Sequence, residues 1–129
     1  MVLRVLVVED EFLIAADLSD LIEERGHMVV GSADTIESAI TLAEKTRPQI
    51  ATVDLRLKHG DNGADLAAAL LEKLGIRSIF ISGNLDEATR LALAHVNPIA
   101  FVGKPISPPV LSRALDLAVK EIAGASGQS

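Results

Sequence analysis

Five short apolar runs, each followed by a longer amphipathic stretch, constrain this chain more than any other feature. The runs are Val2–Val8, Met28–Gly31, Ile50–Val53, Ile79–Ile81 and Ile99–Val102. Each is too short for a helix and is bounded by Gly, Pro, Asp or Ser, which predicts strands buried on both faces. Only Arg4 interrupts the first run, at its solvent-facing start.

Between the runs the apolar spacing turns helical. Ile14, Leu18, Leu21 and Ile22 share one face, as do Ile36, Ala39, Ile40 and Ala43. Leu66, Leu70 and Leu74 follow, then Ala88, Leu91 and Ala92, and last Leu111, Leu115, Ala118 and Ile122. Asp34 with Glu37, and Asn84 with Glu87, have capping-box spacing. Ser107-Pro108 predicts an N-cap followed by proline at the first helical position. Gly26, Gly75 and Gly124 stand where helices should stop. Five strands alternating with five helices predict an α/β fold, an open parallel sheet wound on both faces.

The 129 residues fit one domain, expected over 1–123, with the small polar stretch 124–129 as a flexible tail. A formal net charge of -6, no basic cluster and no Trp or Tyr argue against a nucleic-acid surface. No apolar run approaches the ~20 residues of a membrane helix, and the N-terminus lacks the pattern of a signal peptide. With no cysteine there is neither disulfide nor thiolate chemistry, which suits a cytoplasmic protein.

In a doubly wound sheet, ligands sit at the carboxyl ends of the strands. Read in order, those ends carry Glu9-Asp10-Glu11, then Ser32, Asp54, Ser82 and Lys104. A dinucleotide site needs a glycine-rich turn after the first strand, whereas "EDEF" repels phosphate; a Walker lysine is also missing. A haloacid-dehalogenase-type phosphatase needs a second Asp two residues after its nucleophile, where "DLR" places Arg56. Clustered carboxylates suit a hard cation such as Mg²⁺, or Mn²⁺ in its place. Asp10 and Asp54 would approach each other if their strands are neighbours, with Glu9 holding a coordinated water. Asp54 is then a nucleophile able to form an aspartyl-phosphate. Lys104 would pair with Asp54 at rest and with a phosphate oxygen after transfer, and Ser82 would offer its hydroxyl to another. Glu11 reads as the N-cap of the first helix.

Four motifs in order, "VVEDE", "VDLRL", "ISG" and "FVGKP", resemble the bacterial response-regulator receiver domain over nearly the whole chain, Val2 to about Ile122. The resemblance implies a flavodoxin-like fold with strand order 2-1-3-4-5. It implies Mg²⁺-dependent phosphoryl transfer from a phosphohistidine to Asp54, with Asp10 as direct metal ligand. Glu9 is then the outer acid, and the backbone carbonyl of Arg56 completes the protein's share of the shell. By the same resemblance Ser82 and Phe101 match the switch positions, with Phe101 lacking the hydroxyl of the commoner Tyr. The implied partners are a sensor histidine kinase or histidine phosphotransferase and a downstream protein target, with the domain a monomer or weak homodimer.

Arg56, Gly83 and Asn84 are candidate modulators of the phosphate site; glycine at 83 replaces a common alanine. Phe12, Ala15 and Ala16 are candidates for docking a phosphodonor, or simply helix packing. Leu85, Leu91, Leu93 and Leu111 belong to the face used for output in the family. His27, His59 and His95 read as surface or turn histidines, with His59 in the loop after Asp54. The expected role is a non-enzymatic switch that phosphorylates and dephosphorylates only itself, standing alone because the sequence ends soon after the fifth helix. The alternatives are a receiver excised from a larger regulator, and a protein-binding module that works without phosphorylation.

Overall fold

The computed structural model describes residues 1–57 and 60–126. The elements alternate as β1 (Arg4–Val8), α1 (Phe12–Glu24), β2 (Met28–Ala33), α2 (Ile36–Thr46), β3 (Ile50–Asp54), α3 (Gly63–Leu74), β4 (Arg77–Ser82), α4 (Glu87–Ala92), β5 (Ala100–Gly103) and α5 (Pro108–Ser126). A short 3-10 turn, Ala94–Val96, lies between α4 and β5. All strand pairings are parallel, in the order β2-β1-β3-β4-β5.

Strand alternation makes two cores from one sheet. Val5 and Val7 join Ala15, Leu18 and Ile22 of α1 and Leu111, Leu115 and Ala118 of α5. Leu6 and Val8 join Ala39 and Ala43 of α2 and Leu66 and Leu70 of α3 on the opposite face. Each fully buried aliphatic side chain contributes roughly 1.5–3 kcal/mol, so these two layers hold the strand ends in register. No helix of the described residues is long and apolar enough to cross a membrane.

Several helix ends depart from the sequence expectation. β2 continues to Ala33, paired with Val8, so α2 starts one residue later than expected. Thr35, not Asp34, is the cap. Its Oγ1 accepts from the Ser38 N–H at 3.1 Å, and its own N–H donates to Ser38 Oγ at 3.2 Å. At α4 the cap is Asp86, which accepts from Thr89 N–H at 2.8 Å; Asn84 is held in the preceding turn. α4 also buries none of its residues: the expected apolar face of Ala88, Leu91 and Ala92 lies in solvent. The burial there comes from Leu93 and Val96, just past the helix. Gly75 does end α3 in the left-handed region, φ 67°, where a Cβ would be strained. Gly124 stops nothing: α5 runs through it to Ser126. The rest of the expected tail, 127–129, lies outside the described residues.

Candidate functional site

Neighbouring β1 and β3 bring their acids together, as strand order requires. Glu9 keeps the β1–β2 ladder going by donating its N–H to the Ala33 carbonyl at 3.0 Å. Its side chain turns inward and is only 4% exposed; Asp54, at the end of β3, is 5% exposed. Carboxylate oxygens of Glu9, Asp10 and Asp54 all lie within 4.8 Å of one another. Glu11 occupies the N-cap position of α1, but its side chain makes no capping hydrogen bond. Glu9 does that work through Oε2, which accepts from the Glu11 N–H at 3.2 Å.

Lys104 arrives from the far side. Two strand spacings of ~4.8 Å separate β5 from β3, a gap that a lysine's four-carbon stem spans and a shorter cation would not. Its backbone N–H donates to the Ser82 carbonyl at 3.0 Å, and its ammonium meets Asp54 Oδ2 at 3.0 Å and Glu9 Oε1 at 3.1 Å. The contact with Asp54 is a well-directed hydrogen bond. The one with Glu9 is a contact of charge alone, and it leaves the buried Oε1 without a directed donor. One lysine is therefore shared by two carboxylates of a cluster of three.

The electrostatics follow. Burial, and then the adjacent Asp54, push the Glu9 carboxyl up to about 7, against the opposing pull of Lys104 and the Glu11 N–H. Desolvation lowers the affinity of Lys104 for its proton, but the hydrogen bond to Asp54 and the close approach of the Asp54 and Glu9 carboxylates outweigh it and raise its pKa. A buried carboxylate oxygen without a directed hydrogen bond, beside two further carboxylates, belongs to a donor set that fits a hard divalent cation. Asp10, Asp54 and Glu9 are the residues that would hold it.

Of the remaining candidates, Arg56 engages Asp54 directly and the others are held elsewhere or exposed. The Arg56 N–H donates to Asp54 Oδ1 at 3.1 Å. The Ser82 hydroxyl closes a local turn, donating to the Asn84 carbonyl at 3.2 Å and accepting the Asn84 N–H at 3.1 Å. Gly83 is exposed, and a Cβ there would meet nothing within 4 Å, so alanine would fit. Arg56, Ser82 and Asn84 line a 350 Å³ cleft with Asn62 and Thr89. Phe101 is half-buried, its ring stacked on Phe80 with centroids 5.9 Å apart at 25°. Phe12 and Leu13 at the start of α1 are 83% and 75% exposed, whereas Ala15 is buried in the core. Of the output-face leucines, Leu93 and Leu111 are buried and Leu91 is 68% exposed. His27 accepts the Leu3 N–H at Nδ1, 3.0 Å away. His95 is exposed and His59 lies outside the described residues.

Three residues that shape the site had no assigned role in the sequence reading. Gly63 opens α3 so close to β3 that a Cβ would lie 2.2 Å from the Asp54 carbonyl oxygen. Asp61 ties the loop after Asp54 to α2, its Oδ2 accepting from the Ile36 N–H at 3.0 Å. The turn-rich "GDNG" marks this loop but not its packing. Arg90, the third, has no sequence signal at all.

The family model for the response regulator receiver domain matches residues 5–116. The phyllosphere-induced regulator PhyR of Methylorubrum extorquens is 33% identical over 120 residues, covering 92% of this chain and 44% of that protein. The transcriptional regulatory protein PdtaR of Mycobacterium tuberculosis is 33% identical over 132 residues, covering 97% and 62%. The chain thus spans about half the length of the curated relatives it matches. A solved signal receiver domain of a modulated diguanylate cyclase from Desulfovibrio desulfuricans superimposes with a TM-score of 0.85 at 33% identity, over 95% of this chain and 98% of that one.

Proposed function

This chain belongs to the response regulator receiver domain family, and on that premise we propose that Asp54 is a phosphoacceptor whose aspartyl-phosphate acts as a signalling switch. The observation that carries the reading is Lys104, which crosses from a third strand end to hydrogen-bond Asp54 Oδ2 at 3.0 Å. Acids at strand ends serve as helix caps in many folds. A buried carboxylate faced by a reaching ammonium and by two more carboxylates is built to exchange charge.

The donor is a phosphohistidine of a sensor kinase or phosphotransferase. The P–N bond breaks with its electron pair left on the imidazole nitrogen, and an Asp54 carboxylate oxygen forms the new P–O bond. Phosphoryl transfer asks chiefly for positioning and neutralised charge. The Arg56 N–H orients Asp54 through Oδ1, and Lys104 is placed to follow the incoming phosphoryl oxygens. Asp10, Asp54 and the Arg56 carbonyl would hold Mg²⁺, with Glu9 as the outer acid; bound there, the ion supplies the positive charge that the carboxylates lack. After transfer, Ser82 gives up its turn with Asn84 to donate to the phosphoryl group, and Phe101 rearranges with it.

Exposed Phe12 and Leu13 offer the donor an apolar foothold. The adjoining 460 Å³ groove is lined by Ile14, Leu21, Pro105 and Ile106 together with the acids Asp17, Asp20 and Glu24. The chemistry is confined to the domain's own Asp54, with no turnover of a metabolite.

Intact mass after incubation with acetyl phosphate tests this reading. Wild type should gain a single phosphoryl adduct that requires Mg²⁺ and is absent in Asp54→Asn. Failure of wild type to gain the adduct, together with failure to bind Mg²⁺, would favour a binding module that works without phosphorylation.

A further inference from the structure

Helix α4 buries none of its residues, yet one of its side chains reaches back to the sheet. The Arg90 guanidinium carbon stands 4.9 Å from the centre of the Phe101 ring, and its Nε donates to the Leu85 carbonyl at 3.0 Å. Leu85 belongs to the loop that follows Ser82, and its Cδ1 would lie 3.9 Å from a Cβ on Gly103 of β5. Phe80, on which Phe101 stacks, is fully buried and cannot shift without repacking the core. Arg90 is thus the exposed partner of a ring whose other partner, Phe80, is fixed in the core.

We propose that Arg90 is a positioning residue that couples the β4–α4 loop to Phe101, one side chain holding both in the unphosphorylated arrangement. The proposal rests on the reading of Asp54 as a phosphoacceptor. To donate to a phosphoryl group, the Ser82 hydroxyl must leave the Asn84 carbonyl, which moves the loop that carries the Leu85 carbonyl. Any displacement of the Phe101 ring removes the guanidinium from its face. Both movements end on Arg90, so losing one contact weakens the other, and the loop and the ring change together. A guanidinium can stack and donate in its own plane at the same time; an ammonium cannot. With no residue of α4 buried, the helix is free to shift about its buried C-terminal flank, Leu93 and Val96, when the contact opens.

A cation over an aromatic face at an exposed site corresponds to about a two- to fivefold bias in an equilibrium. Removing it should raise the population of the phosphorylated-like arrangement in the free protein by that factor. The chain has three phenylalanines, Phe12, Phe80 and Phe101, so uniform incorporation of fluorophenylalanine gives three ¹⁹F resonances, assignable by replacing Phe12 and Phe101 in turn. In wild type, Mg²⁺ with beryllofluoride, a tetrahedral phosphoryl mimic, should move the Phe101 resonance. In free Arg90→Gln that resonance should already be displaced toward the beryllofluoride position with Phe12 unmoved, and acetyl phosphate should label Asp54 about two- to fivefold faster.

Arg90→Lys, which keeps a charge for the ring but cannot stack and donate to the Leu85 carbonyl at once, should fall between Arg90→Gln and wild type. If Arg90→Gln matches wild type in resonance position and labelling rate, or if Arg90→Lys fully restores both, the coupling role is overturned and the phosphoacceptor reading stands. If wild type itself neither responds to beryllofluoride nor labels, the phosphoacceptor reading fails and the coupling falls with it.

Discussion

The acid half of the site and the switching half rest on very different foundations. Glu9, Asp10 and Asp54 stand at the carboxyl ends of β1 and β3, central strands clamped by α1 and α5 on one face and by α2 and α3 on the other. Ser82 and Phe101 sit on β4 and on the edge strand β5, beside an α4 with no buried residue. Phosphoryl chemistry needs oxygens held in fixed positions, so a rigid foundation suits the acids. A signal needs an element that changes place cheaply, and such elements come from the low-stability end of a structure. The division follows from where each helix's apolar residues fall. Leu18 and Ile22 of α1 are buried, whereas Leu91 of α4 faces solvent.

The largest effect should come from the clamped half. Ile22→Ala should cost about 2–5 kcal/mol, the range for truncating a buried aliphatic side chain, seen as a lower denaturation midpoint. A cost under about 1 kcal/mol would mean that α1 is not the clamp its burial suggests.

Gly63→Ala should follow. Its Cβ would press on backbone at Asp54, and backbone cannot rotate away, so about 1–3 kcal/mol is expected, the usual cost of overpacking. Labelling of Asp54 by acetyl phosphate should slow as well. Unchanged stability and labelling would show that α3 can retreat from β3.

Next comes pH. The folded state holds the Glu9 proton up to about 7, against an ordinary 4.5, so it binds more protons than the unfolded chain between those values. In metal-free protein this group's contribution to stability is therefore fully present below about pH 4.5 and is lost as pH rises through about 7. Glu9→Gln should flatten that slope in thermal melts, and saturating Mg²⁺ should flatten it in wild type. A slope unaffected by either would remove Glu9 as its source.

The smallest effect belongs to the loose half. Leu91→Ala should leave stability within about 0.5 kcal/mol of wild type, as for surface positions generally. A loss as large as that of Ile22→Ala would erase the contrast between the halves.

Much of this was legible in the chain. The inner strands β1, β3 and β4 announce themselves as short apolar runs because each is buried on both faces. The edge strands β2 and β5, expected to be buried as well, are only partly so. The acids, Ser82 and Lys104 stand at the ends of these runs. Helix starts were less legible, because two adjacent residues often make equally good caps. Asp34 and Thr35 compete for α2, and the pairing of Ala33 with Val8 settled it in favour of Thr35. At α4 the cap likewise falls later than expected, and the face expected to be buried is exposed. Gly124 has the residue type of a helix stop, but nothing about its type says whether neighbouring turns of α5 will carry the helix past it.

The sequence by itself determined the alternation of strand and helix, the two-faced core and the chemical identity of the site, because periodicity and residue type are local properties. Only the tertiary structure decided which groups meet. The 3.0 Å reach of Lys104 to Asp54 depends on strand order, the need for glycine at position 63 on the approach of α3 to β3, and the place of Arg90 over Phe101 on how α4 lies. Lys104 and Asp54 are distant along the chain, and the other two pairs meet only through the packing of one element on another, so no local pattern encodes these contacts.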